Sequence, residues 1–311
     1  MTRPTVLVLR ALGLGDFVTG LPALRVLRET RPDRHIVLAL PRWLWPLLDL
    51  IDTVDAAVAG HELDPLTDPP IAPELAVDLH GNGPASVALL AAVNPRRIVA
   101  YAAGSAEWLP DEHEVEKWCH LLRAGLPAPY AVSPLLGGSL APPGRNQPGG
   151  RTIVHCGAKA VARRWPPDRF AVVAAELARA GHDVVVTGGP ADESETEAVA
   201  TAAGVECRTD LALLDFVDLV AKATLVVSGD TGAAHLAAAY ERPSVTLFGP
   251  VSPSRWGPPA RTRHRVIWHG DGTGDPHAAT LDAALARISP DEVLSEAWIA
   301  AHASMIDTAH A

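Results

Sequence analysis

Short runs of Val, Leu and Ile alternate along the chain with longer alanine-rich stretches whose apolar residues recur at helical spacing. In the first half, "VLVLR" (6–10), "HIVLAL" (35–40), "ELAVDLH" (74–80) and "RRIVAY" (96–101) predict strands, and helices are predicted at 17–31, 84–93 and 114–124. Apolar runs this short and continuous fit strands covered on both faces, as in parallel sheets. The second half restarts the rhythm. Strands are predicted at 152–156, 183–188, 224–229, 244–249 and 264–269, and helices at 168–179, 191–203, 211–222, 231–240 and 279–287. A further helix starts at "SPDEVL", where Ser289 and Glu292 have the spacing of a capping box. The fold class is α/β.

Residues 137–150, "GGSLAPPGRNQPGG", are too rich in Gly and Pro for a regular element and read as a linker. The chain of 311 residues is long for one core. It divides into a domain at 1–140, a second at 151–289 and a C-terminal helix at 290–311. Two open α/β domains leave a cleft, and ligands of such sheets bind at the carboxyl ends of strands. The loops at 11–16 and 229–232 both follow strands and are expected to line it.

Composition narrows the function. The formal net charge is −10, and no Lys/Arg run tracks a nucleic-acid backbone. No apolar stretch approaches the ~18–20 residues of a membrane span. The apolar N-terminus is broken by Arg10 and Asp16, unlike a signal peptide. Three scattered cysteines fit reduced thiols. The expectation is a cytoplasmic protein without an integral membrane segment and without nucleic-acid partners. The thirteen His residues show no metal-ligand spacing, so no metal site is assigned.

The richest motif is "SGDTGAAHLAAAYERPSVTLFGP" (228–250), a strand end, a small-residue turn, a helix and a strand. Thr231, Gly232 and Ala233 would open the helix. Their N–H groups lack partners inside it, and the helix dipole favours an anion there. A diphosphate fits, with Thr231 adding a hydroxyl and His235 one turn on. Asp230 is either the helix cap or a ligand for sugar hydroxyls.

These residues resemble the heptosyltransferase family of glycosyltransferases, family nine. "DTGAAHLAAA" followed by "PSVTLFGP", "GLGDFVTGLPALRVLRE" near the start and "HCGAKAVARRWPPDRF" at the second domain stand in the family's order and spacing. "VTGGPADESE", "VDLHGN" and "HEVEKWCHLL" fit the same family. The resemblance implies a GT-B architecture, with the donor held by the second domain. It also implies inverting, metal-free transfer of a sugar, usually heptose from ADP-heptose, to an acceptor hydroxyl. No resident cofactor is implied; the nucleotide sugar is a substrate. The last helix is expected to pack back on the first domain.

Asp16 sits where a dinucleotide fold would place pyrophosphate, and Val18 stands where the third glycine of that fingerprint belongs. A carboxylate that deprotonates an acceptor hydroxyl explains it better, and Asp16 matches the family's base. The plainer reading is a helix N-cap. Arg163 matches the family's phosphate-neutralising cation, with Arg164 beside it. Lys159 is either a further phosphate contact or a solvated loop residue. Asp192 matches the position facing the nucleoside ribose, or caps a helix. His80 and Asn82 are candidate acceptor contacts, or simply exposed. Glu114, Glu116 and Lys117 read as a solvated helix face. Trp43, Trp45, Trp118, Trp165 and Trp256 are core or sugar platforms. The acceptor is a glycolipid saccharide or a soluble natural product such as an aminoglycoside. The competing readings are an NAD(P)-dependent oxidoreductase or epimerase and a non-catalytic binding protein.

Overall fold

A computed structural model of the chain describes residues 3–126, 136–145, 147 and 149–309, with side chains to residue 303. Asn146 and Pro148 of the expected linker, and residues 310–311 of the expected C-terminal segment, lie outside the described residues. The chain forms two compact units, Met1–Ala141 and Pro142–Ala311.

The first unit contains β1 (Thr5–Leu9), α1 (Leu14–Thr30), β2 (His35–Leu40), β3 (Ala56–Ala59), β4 (Leu75–Asp78), α2 (Pro84–Ala91), β5 (Ile98–Val99) and α3 (Glu114–Gly125). All strands are parallel, in the order β3-β2-β1-β4-β5. The chain winds outward from β1 through β2 and β3, then returns to place β4 on the other side of β1. The order therefore reverses between β1 and β4, the point where open sheets take ligands. Val6, Leu7, Val8 and Leu9 are buried, as a central strand covered on both faces requires.

In this unit one strand appears that was not expected, and its first helix starts early. β3 was not expected: "AAVA" is small and short, and only its pairing with β2 makes it a strand. α1 starts at Leu14 rather than 17, since Gly13 takes the extended N-cap conformation and donates its N–H to Asp16 Oδ2 at 3.2 Å.

The second unit contains β6 (Thr152–His155), α4 (Pro167–Arg179), β7 (Val184–Thr187), α5 (Glu193–Ala203), β8 (Glu206–Arg208), α6 (Leu213–Ala221), β9 (Leu225–Gly229), α7 (Gly232–Ala239), β10 (Ser244–Phe248), α8 (Pro253–Trp256), β11 (His264–Trp268), α9 (Ala283–Arg287) and α10 (Pro290–Ala309). Its parallel sheet runs β11-β10-β9-β6-β7-β8 and reverses between β6 and β9. Val154, Val186, Val227 and Leu247 bring the central strands into one core with Trp165 and Phe170.

Ser289 and Glu292 form the expected capping box at the start of α10, with Ser289 N–H donating to Glu292 Oε2 at 2.9 Å and Glu292 N–H to Ser289 Oγ at 3.3 Å. The buried Val293, Ala297 and Ala300 of this helix join the core of the second unit, against α4 and strands β9 to β11. Their small side chains, spaced four and three apart, let the helix lie close.

Candidate active site

In the first unit, the carboxyl ends of β1 and β4 carry a polar group around Arg10 and Asp16. Asp16 stands in the first turn of α1, not at its cap, with its side chain 29% exposed. One carboxylate oxygen holds the Gly13 N–H, so the turn's own anion occupies a donor that a phosphate would use. This is the opposite of a dinucleotide turn, and Val18 is fully buried where glycine would be needed.

Arg10, 2% exposed, follows β1 and ties the site together. Its Nε donates to the Asp16 carbonyl at 2.7 Å, one terminal nitrogen donates to the Leu79 carbonyl, and the other donates to Thr19 Oγ1 and Glu114 Oε1, both at 3.1 Å. That last nitrogen also stands 3.9 Å from Asp16 Oδ1. Gly20 is required here: a Cβ would lie 2.8 Å from Arg10 Nε.

Glu114 and Lys117 are buried, which corrects the reading of a solvated face; Glu116 alone of the three is exposed. Glu114 also accepts from Trp118 Nε1 at 2.6 Å and lies 3.4 Å from Lys117 Nζ. Lys117 Nζ sits over the Trp108 ring at 4.5 Å, and the Arg10 guanidinium over Trp118 at 5.0 Å. Burial pushes the Glu114 carboxyl up, but Arg10, Lys117 and the hydrogen bonds outweigh it and hold the group below the usual range. The sequence signal for this network was Arg10 itself, a charge at the end of an apolar central strand.

His80 follows β4, half-buried, with Nδ1 buried and without a partner. Burial, then Arg10, lower its pKa, against the opposing charges of Asp16 and Glu62. The structure thus brings His80 into the electrostatic reach of Asp16. Asn82 lies exposed on the same loop.

The second unit builds its site where β6 and β9 meet. Thr231 is the N-cap of α7, and Gly232 is its first helical residue. Asp230 is not the cap. Its buried carboxylate lies 3.6 Å from His235 Nε2 and 3.9 Å from an Arg163 nitrogen. Arg163 also donates to the Asp230 carbonyl at 3.4 Å. His235 is buried and faces Trp256, ring centroids 5.8 Å apart. The Thr231 and Ser228 hydroxyls and Arg163 Nε are buried polar atoms without partners in the protein. Orphaned donors at a helix N-terminus, one of them on a cation, are groups that an anion can satisfy. Ala233 is buried and adds no bulk there.

Asp192 precedes α5, but its side chain makes no cap bond. It pairs with Arg164 at 2.7 Å, and Arg164 also pairs with Glu195 at 3.1 Å. Lys159 is exposed on the loop after β6. His155, at the end of β6, shares a hydrogen bond with Thr187 Oγ1 at 3.0 Å, and burial pushes its pKa down to about 4. Of the tryptophans left open, Trp118 and Trp165 are core, Trp43 is 51% exposed, and Trp45 lies under the Arg42 guanidinium. The "HGDGTGD" loop lines a cavity of about 370 Å³ with Gly249, Pro250 and Asp282. Among the described residues, no group of three or more His, Cys, Asp or Glu is placed to hold a metal ion. No helix among them is long and apolar enough to cross a membrane.

Residues 103–279 match the model of glycosyltransferase family 9 (heptosyltransferase), more than half of the chain. The chain belongs to that family. It is 33% identical over 152 residues to lipooligosaccharide heptosyltransferase 2 of Haemophilus influenzae and 34% identical over 151 residues to lipopolysaccharide heptosyltransferase 2 of Escherichia coli. Each match covers 43% of this chain and spans 42% of the relative's length. The structure resembles that of the E. coli ADP-heptose lipopolysaccharide heptosyltransferase II, with a TM-score of 0.76 at 23% identity, covering 97% of this chain and 99% of that one. A family 9 glycosyltransferase from Veillonella parvula gives 0.73 at 17% identity, covering 96% and 97%. An E. coli heptosyltransferase solved with ADP gives 0.73 at 18%, covering 94% and 98%. This family 9 member has the GT-B fold of two Rossmann-like units.

Proposed function

We propose that the protein is an inverting, metal-independent glycosyltransferase that moves a heptose from ADP-heptose to a saccharide hydroxyl. The observation that carries this reading is the N-terminus of α7. There the Thr231 hydroxyl and Arg163 Nε are buried without partners, beside the N–H groups of Gly232 and Ala233, for which the first turn of a helix offers no partner of its own. A diphosphate leaving group satisfies all of them. Helix dipole and guanidinium together meet its growing negative charge. Asp230, His235 and Lys159 complete the donor contacts in this reading, and Asp192 takes the ribose.

The first unit supplies the base. The acceptor oxygen bonds to the anomeric carbon as its proton passes to Asp16. The bond from that carbon to the diphosphate oxygen breaks, and ADP leaves with the electron pair. His80 and Asn82, on the loop after β4, are the acceptor contacts. Relatives solved with ADP and with ADP-2-deoxy-2-fluoro heptose support the donor. Relatives named for lipopolysaccharide and lipooligosaccharide support a glycolipid-core saccharide as acceptor, and none of those named above points to a soluble natural product. The three free cysteines suit the cytoplasmic location that belongs to this proposal.

The test is incubation with ADP-heptose and a heptose-free lipopolysaccharide core, reading ADP release and the mass of the product. Transfer is expected, and Asp16→Asn should slow it by about 10²- to 10⁴-fold while leaving ADP binding intact. ADP binding with no sugar transfer in the wild type would favour the non-catalytic reading.

A further inference from the structure

The neighbours Arg163 and Arg164 serve different partners. Arg164 has extended backbone (φ −91°, ψ 102°), which sends successive side chains opposite ways. Arg163 reaches Asp230 at the start of α7, while Arg164 reaches Asp192 and Glu195 at the start of α5. The segment is anchored by the next residue, the buried Trp165, whose Nε1 donates to the Ile288 carbonyl at 3.1 Å.

Asp192 is held from several sides. Arg164 pairs with Oδ1, and the Asp192 carbonyl accepts from Thr196 Oγ1 at 2.8 Å. Oδ2 lies over Gly157, where a Cβ would stand 2.5 Å away. The side chain is only 11% exposed, so it has little freedom. It lies near the end of β6, since its charge acts on His155.

We infer that Arg164 is a positioning residue for nucleotide recognition: it fixes Asp192 so that the carboxylate meets the ribose hydroxyls of the donor, and so sets a preference for ribonucleotides. The inference rests on the proposed donor site. A carboxylate already held in place by the guanidinium loses less freedom when it accepts the hydroxyls.

The test is calorimetric titration of ADP and of 2′,3′-dideoxy-ADP, which lacks both hydroxyls. The proteins are the wild type, Arg164→Met, Arg164→Lys, Asp192→Asn and the double variant Arg164→Met/Asp192→Asn. The wild type should prefer ADP by roughly ten- to hundredfold, the range for hydrogen bonds to a charged group. Arg164→Met should lose most of that preference, leave dideoxy-ADP affinity within about twofold, and add nothing to Asp192→Asn. Arg164→Lys, which keeps a charge but not the fork, should fall between. Equal weakening of both nucleotides by both Arg164 variants would overturn the inference in favour of a phosphate contact or a general structural role. Unchanged binding in both would overturn it outright. A wild type that binds both nucleotides equally would overturn the inference and leave the diphosphate site standing, whereas one that binds no ADP would take the donor-site reading down with it.

Discussion

Arg10 and Glu114 meet at 3.1 Å across 104 residues of sequence, both buried. Glu114 faces Lys117 as well, so one carboxylate compensates two buried cations. Removing it leaves Lys117 without that carboxylate and Arg10 with Asp16 alone, 3.9 Å away. Glu114→Ala is expected to lower unfolding free energy by about 3–5 kcal/mol, measured by urea denaturation.

The same carboxyl gives the protein an acid limit. Its pKa is held below the ordinary 4.5 in the folded state. Its contribution is therefore present at neutral pH and lost as pH falls from 4.5 through the folded value. Unfolding free energy should therefore fall more steeply with falling pH in the wild type than in Glu114→Gln, whose stability is lower at neutral pH, and the two should converge once the carboxyl is protonated.

Two histidines, His155 half-buried and His264 buried, act at milder pH. Burial takes both His155 and His264 from 6.5 down to about 4, with Arg263 and Arg261 adding to the effect at His264. Unfolded chains take up these protons first, so stability present above 6.5 is lost as pH falls toward 4. Each contributes a slope of about 1.4 kcal/mol per pH unit in that interval. His264→Gln should remove one such increment from the slope of unfolding free energy against pH.

Gly20→Ala separates propensity from packing. In an open helix the change would stabilise by about 1 kcal/mol. Here the new methyl meets Arg10 Nε at 2.8 Å and Cδ at 3.1 Å, and Arg10 is tied to four partners. Thermal melting should show net destabilisation, within the roughly 1–3 kcal/mol of an overpacked core.

Thr231→Val should trade binding for stability. The hydroxyl is buried without a partner and makes no cap bond, so the free protein loses nothing with it. Its melting temperature should hold or rise, while ADP affinity falls by about tenfold.

The order of strands and helices was legible because apolar runs and alanine-rich stretches differ in period, and Gly and Pro mark the joints. The turn from β9 into α7 was legible from its small residues, and α7 begins at Gly232, one residue after the expected start at Thr231. What stayed hidden depends on distant partners. Glu114 and Lys117 look solvated until Arg10 is brought to them by the sheet. Asp192 looks like a cap until Arg164 arrives from another loop. α10 shows a stripe at Val293, Ala297 and Ala300, which says that it packs but not upon which unit. α1 begins three residues early because Gly13 and Asp16 close their own turn, a local bond that the glycine-rich stretch disguises.

The most direct measurement is calorimetric titration of ADP and NAD into the wild type and Arg163→Met. ADP should bind one to one, NAD should not bind, and Arg163→Met should weaken ADP by about tenfold or more, roughly what losing a charged hydrogen bond costs. NAD binding, or ADP binding indifferent to Arg163, would contradict the proposed donor site.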